Sequence, residues 1–139
     1  MRKFLLTILL LVPMLCMAER EEIYIFGGTQ YDVYLGKFNA PPSDPASIWN
    51  ENGLYGDRRN PESIWNVNGL YGNPESNLSP WNPENSNVPF LLNEEMKDRG
   101  TLSVYSTNEV AKFICINYKF IISGEYPLTD WYQALFEGE

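Results

Sequence analysis

A chain of 139 residues that contains no histidine has a short list of chemistries open to it. Ser-His-Asp and Cys-His nucleophiles, His-built zinc sites and imidazole acid/base steps cannot be assembled. Of its two cysteines, Cys16 lies in an N-terminal apolar segment. Cys115 stands in the run Phe113-Ile114-Cys115-Ile116, where a small buried residue on a strand is expected. Nothing nearby would activate it as a thiolate. Carboxylates remain, and glycoside hydrolysis shows what a pair of them can do. Asp57, Glu62 and Glu75 are the candidates for a small extracytoplasmic hydrolase. A domain of this size has little room for both a deep cleft and its scaffold, so catalysis is the lesser alternative.

Calcium is the other chemistry to test, since secreted Asn/Asp/Gly repeats can bind it. If Gly53 or Gly69 took the glycine place of an EF-hand loop, the first ligand would be Ile48 or Ile64, which offers no side-chain oxygen. No metal site and no cofactor are expected.

The strongest pattern is a tandem repeat. SIWNENGLYG (47–56) recurs as SIWNVNGLYG (63–72), sixteen residues on, and a decayed SPWN follows at 79–82. Nine identical residues of ten argue for duplication of one structural unit. The repeat sets Trp49, Tyr55, Trp65, Tyr71 and Trp81 at regular places, and two readings of them compete. In one, the rings pack against the next copy, because a unit of sixteen residues cannot bury its own apolar face. In the other, they offer flat faces to sugar rings or to a partner's side chains, and these five are the candidate ligand-binding residues.

Three stretches must position these residues. In 22–39, Ile23-Tyr24-Ile25-Phe26 and Tyr31-Asp32-Val33-Tyr34-Leu35 flank Gly27-Gly28-Thr29-Gln30 and read as a hairpin. The segment 40–87 holds the repeats and seven prolines between Pro41 and Pro83, so neither a long helix nor a central strand can run through it. Its Asn-Gly pairs favour turns with positive φ, and its serines favour side-chain caps. In 88–139, Pro89-Phe90-Leu91-Leu92 and Thr101-Leu102-Ser103-Val104-Tyr105 read as a second hairpin. The β-favouring run Lys112–Ser123 reads as a central strand. A helix capped by Thr129 or Asp130 follows, with Trp131, Ala134 and Leu135 at helical spacing.

Arg2 and Lys3, the apolar run Phe4–Val12 and the small Ala18 before Glu19 have the order of a signal peptide over 1–18. The run is shorter than the roughly 20 apolar residues that cross a bilayer. Secretion or a periplasmic location is expected, without a transmembrane segment. Lipid attachment at Cys16 is the weaker alternative, because Pro13-Met14-Leu15 lacks the small residues that processing favours. Removing 1–18 leaves 8 basic against 18 acidic residues, a net charge of −10. Nucleic acid is a poor partner for such a chain. Cell-envelope glycan or an extracellular protein suits it better. A single remaining cysteine leaves no internal disulfide.

Tyr34-Leu35-Gly36, the tandem SIWN and LYG copies, the closing SPWN and a Trp-bearing C-terminal helix resemble small secreted bacterial proteins with tandem SIWN-type repeats. That resemblance brings no activity with it. It implies a cysteine pair after Leu-Gly, where this chain has Lys37-Phe38-Asn39. The expected fold is α+β and mainly β, one small domain over 19–139. It has an antiparallel sheet, one short C-terminal helix and a turn-rich repeat segment. The expected role is a non-catalytic interaction module.

Overall fold

In a computed structural model of the protein, residues 20–138 are described; the expected signal segment lies outside them. Among the described residues no helix is long and apolar enough to cross a membrane. The first hairpin pairs β1 (Ile23–Gly27) with β2 (Val33–Lys37). Gly28 turns the corner with φ +87, a backbone region closed to most side chains. The second pairs β3 (Phe90–Asn93) with β4 (Asp98–Thr101). β3 then joins β1, so the sheet is four-stranded and antiparallel in the order β2-β1-β3-β4. With several short helices beside it, the fold is α+β. β4 starts and ends earlier than its β-favouring residues suggest, because Asn93 closes the hairpin tip. Its Oδ1 accepts from Glu95 N and Lys97 N, both at 2.9 Å. Leu102 then bonds back to Pro89 and goes into the core.

The expected central strand Lys112–Ser123 is instead two short helices, α1 (Glu109–Ile116) and α2 (Tyr118–Ile122). Asn108 starts α1, its Oδ1 accepting from Val110 N and Ala111 N at 3.1 Å. Buried Ala111, Ile114, Cys115 and Ile121, with half-buried Tyr118, recur at helical spacing. Tertiary burial of this stripe overrides the β preference of the individual residues. The place in the middle of the sheet goes to β1 and β3. Cys115 is buried as expected, but on a helix, and desolvation pushes its thiol up to about 12.

The C-terminal helix, α3, spans Leu128–Tyr132 and continues as a wider π-helical turn over Gln133–Glu137. Pro127 stands at its start and no side chain caps it, so Thr129 and Asp130 do not have the capping role. Leu128 and Tyr132 are its buried anchors, Trp131 and Leu135 pack partly buried against the core, and Ala134 is exposed.

Residues 41–85 form a chain of turns with a simple rule. Backbone N–H groups bond three residues back at Asp44, Ser47, Asn50 and Gly53, a single four-residue step leads to Asp57, and the series restarts at Asn60. Four steps of three and one of four generate the sixteen-residue period. Side-chain oxygens of eleven of these hinge residues, from Asp44 to Asn85, accept from the N–H two positions on. The backbone thus meets its polar requirement without helix or strand, through Asx and Ser turns.

Gly53 and Gly69 do not have the positive φ that their Asn-Gly pairs suggest. Gly56 and Gly72 are needed for space: a Cβ on either would overlap the carbonyl of Asn50 or Asn66. Gly56→Ala is therefore expected to cost about 3 kcal/mol, the upper end for overpacking, while exposed Leu54→Ala costs under about 0.5 kcal/mol. Urea unfolding of both variants checks this, and equal costs would remove the packing argument.

Glu21 holds the sheet's far edge to the N-terminal segment. The Arg99 guanidinium grips its carboxylate through Nε and Nη2 at 2.9–3.1 Å, and Asn93 Nδ2 donates at 2.6 Å. These contacts hold the carboxyl down at about 2, against 4.5 when free. The depressed value means that the contribution is complete above pH 4.5 and is lost as pH falls toward 2. Glu21→Gln is expected to flatten the loss of stability over that window, read from urea midpoints at stepped pH. Parallel curves for the two proteins would show that the pair contributes nothing.

Candidate functional site

Each letter of SIWN has a structural task. Ser47, Ser63 and Ser79 are buried hinges whose Oγ accepts from the tryptophan N–H. Ile48 and Ile64 are fully buried. The indole N–H of Trp49, Trp65 and Trp81 donates to Phe38 O, Ile48 O and Ile64 O, each at 2.7 Å. Each tryptophan therefore fastens its coil to the one before. Asn50, Asn66 and Asn82 donate from Nδ2 to a carbonyl six residues back.

The rings form a ladder. Trp49 and Trp65 lie 5.5 Å apart, Trp65 and Trp81 5.3 Å, and Tyr118 of α2 stacks on Trp81 at 5.3 Å and 8°. Phe136 closes the other end against Trp49 and Phe38. At 0–2 % exposure the three tryptophans have no free face for a sugar or a partner. They are core, and the inward reading describes them. Tyr71 is buried as well. Tyr55 alone of the five candidates reaches an open aromatic surface, its ring meeting Tyr34 edge-on at 5.1 Å.

That surface is the outer face of the sheet. Ile25, Leu35 and Leu91 point into the core, so period-2 alternation puts Tyr24, Phe26 and Tyr34 on the opposite side. The Tyr34 ring lies 6.2 Å from that of Tyr24 and 5.5 Å from that of Phe26. With Asn93, Glu94 and Met96 they line an open groove of about 430 Å³. Tyr31, in the turn between β1 and β2, stacks flat on Phe90 of β3 at 4.3 Å. Desolvation among these rings pushes Tyr34 up to about 12. The alternation was present in the first hairpin, where apolar residues fall on both faces, and it is the signal that locates this surface.

At the groove's edge lies a group of paired charges. Lys37 Nζ bonds Asp44 at 2.9 Å and Glu22 at 3.3 Å, and Tyr24 donates to Glu22 at 2.6 Å. The Lys37 bond lowers Asp44, the Tyr24 bond lowers Glu22, and the Asp44 bond raises Lys37. Both carboxylates stay ionised at neutral pH, unlike the raised carboxyl that general-acid catalysis uses. Of the carboxylates considered for hydrolysis, Asp57 is bound by Arg59 at 3.0 Å, which lowers it, while Glu62 and Glu75 are exposed. Among the described residues no group of three His, Cys, Asp or Glu could hold a metal ion.

Trp65→Phe keeps an aromatic ring but leaves Ile48 O without its donor in a dry interior. A loss of roughly 2–3 kcal/mol is expected, read from urea unfolding; an unchanged midpoint would show that the bond is dispensable. Comparison of the chain with protein-family models, with curated proteins and with solved structures finds no match.

Proposed function

We propose that the protein is a non-catalytic binding module of the extracytoplasmic space that holds a glycan on the outer aromatic face of its sheet. The observation that carries this reading is the groove beside Tyr24, Phe26 and Tyr34. The rings lie on the side opposite the core, where folding alone asks for polar residues. Flat aromatic faces beside the exposed Glu94 carboxylate suit the apolar face and the hydroxyl rim of a sugar ring. The basic, apolar and small-residue order of 1–18 supports export, and an envelope glycan is a partner such a protein would meet.

A binding screen of the purified protein against cell-envelope polysaccharides tests the reading. Binding is expected, with a loss of ten-fold or more in Tyr24→Ala and Phe26→Ala and no change in Leu70→Ala on the exposed edge of the repeats. Near-UV circular dichroism should show the tryptophan ladder intact in all three. Absence of glycan binding, or binding indifferent to Tyr24 and Phe26, would count against it. Capture of an extracellular protein through the same rings would replace the ligand.

A further inference from the structure

A second aromatic group stands away from the sheet, where α2 ends and α3 begins. Phe120, Tyr126 and Trp131 meet as three nearly orthogonal walls. The interplanar angles are 90° for Phe120–Trp131, 85° for Tyr126–Trp131 and 72° for Phe120–Tyr126, with centroids 5.4–6.3 Å apart. Beside them, Tyr126, Asp130, Trp131 and Ala134 line an open cavity of about 340 Å³. Asp130 is the one charged group in that lining. Arg58, the cation that reaches this end of α2, is committed to the carbonyls of Ile122 and Ile121 at 2.7 and 3.4 Å.

Burying three rings in one hydrophobic cluster favours edge-to-face pairs and needs no cavity. Here Phe120 and Tyr126 instead remain 44 % and 47 % exposed. The Trp131 indole N–H is the one buried side-chain polar atom without a hydrogen-bond partner among the described residues, in a fold that gives its other three tryptophans a carbonyl each. Such a donor asks for an oxygen acceptor, which a cation does not offer; the open cavity with its aromatic and acidic lining is what points to a ligand. The chemistry of the walls states what that ligand is. Aromatic faces attract a cation through their quadrupole, most of all one too weakly hydrated to prefer water, and a carboxylate at the rim adds charge complementarity.

We propose that Tyr126, Trp131 and Asp130, with Phe120 packed edge-on against Trp131, form a receptor for a quaternary ammonium group, the head shared by free choline-type solutes and choline lipids. It is independent of the glycan surface on the sheet.

The test is a titration of the purified protein with choline chloride, followed by the indole N–H resonances in a nitrogen-15 correlation spectrum. The Trp131 signal is expected to shift saturably with a Kd on the order of 1–10 mM, while the three ladder indoles stay fixed and report an intact fold. Tyr126→Leu should weaken binding ten-fold or more, and Asp130→Asn about three-fold. The uncharged isostere 3,3-dimethylbutan-1-ol separates the charge from the shape. Vesicles of phosphatidylcholine, against phosphatidylglycerol, separate lipid headgroup from free solute: selective, Tyr126-dependent capture of the former assigns the lipid source. Saturation by free choline without vesicle capture assigns the solute. No shift with choline and no selective capture overturns the proposal, as does equal binding of the uncharged isostere or of both vesicle types.

Discussion

Forty-odd residues without a helix or a strand must still satisfy every buried backbone donor and acceptor, and the indole N–H of a tryptophan is what makes that arrangement stack. Turn hydrogen bonds three residues apart satisfy each coil within itself but do nothing to hold one coil on the next. The bond from Trp65 to Ile48 O and from Trp81 to Ile64 O supplies that link in the dry interior, where a hydrogen bond lost is costlier than one gained in water. Ring-on-ring contact along the same ladder adds about 0.5–1.5 kcal/mol per pair beyond the burial of area. A tryptophan serves both tasks because its donor sits on the ring edge while the faces stay free to pack.

This double use decides where binding can occur. The same rings cannot be ladder and ligand surface, so recognition must use aromatics that the core has left over. The sheet provides them because β1 and β2 carry large apolar groups on alternate sides: Ile25 and Leu35 inward, Tyr24, Phe26 and Tyr34 outward. Lys37 joins the two parts. Its backbone bonds to Ala46 and Ile48, so the end of β2 acts as the coil before the first repeat, and Phe38 O receives Trp49 as Ile48 O receives Trp65. The sheet and the repeats are therefore one body with a shared core, and the outer groove inherits its rigidity from the ladder behind it.

Much of this was legible, and the failures have physical causes. The first hairpin followed from β-branched and aromatic runs around Gly28; of the second only β3 did, since its return strand is Asp98–Thr101 and not Thr101–Tyr105. The period of sixteen was plain, but its origin was a finer rule: Asp, Asn, Ser or Gly at every third position from Asp44 to Gly53 and again from Asp57 to Gly69. Lys112–Ser123 was misread because phenylalanine and isoleucine favour strands, although Asn108-Glu109 before it carried a helix start and 111, 114, 115, 118 and 121 kept helical spacing. The direction of the tryptophans was not decidable from spacing alone. A regular interval of flat rings fits a stacked core and a stacked ligand equally well; only the carbonyl facing each indole separates them.

The decay of the third copy follows from the same geometry. Ile48 and Ile64 each present a carbonyl to the tryptophan of the following coil, but the place they hold is filled by Pro80 in SPWN, and no further tryptophan follows in the ladder. Pro80 keeps a carbonyl but gives up the isoleucine side chain that the first two copies bury, and the ring that covers Trp81 belongs to Tyr118 on a helix, almost parallel to it at 8°. Terminal repeats of a stacked array must trade the repeat's apolar contact for a cap. Here the cap comes from α2, while the side chain of Arg58 in the preceding coil binds the last carbonyls of that helix. The length of the array is thus set by its lid: a fourth SIWN would place a fourth ladder tryptophan where Tyr118 already lies, so further duplication would have to displace the helices before it could extend the ladder.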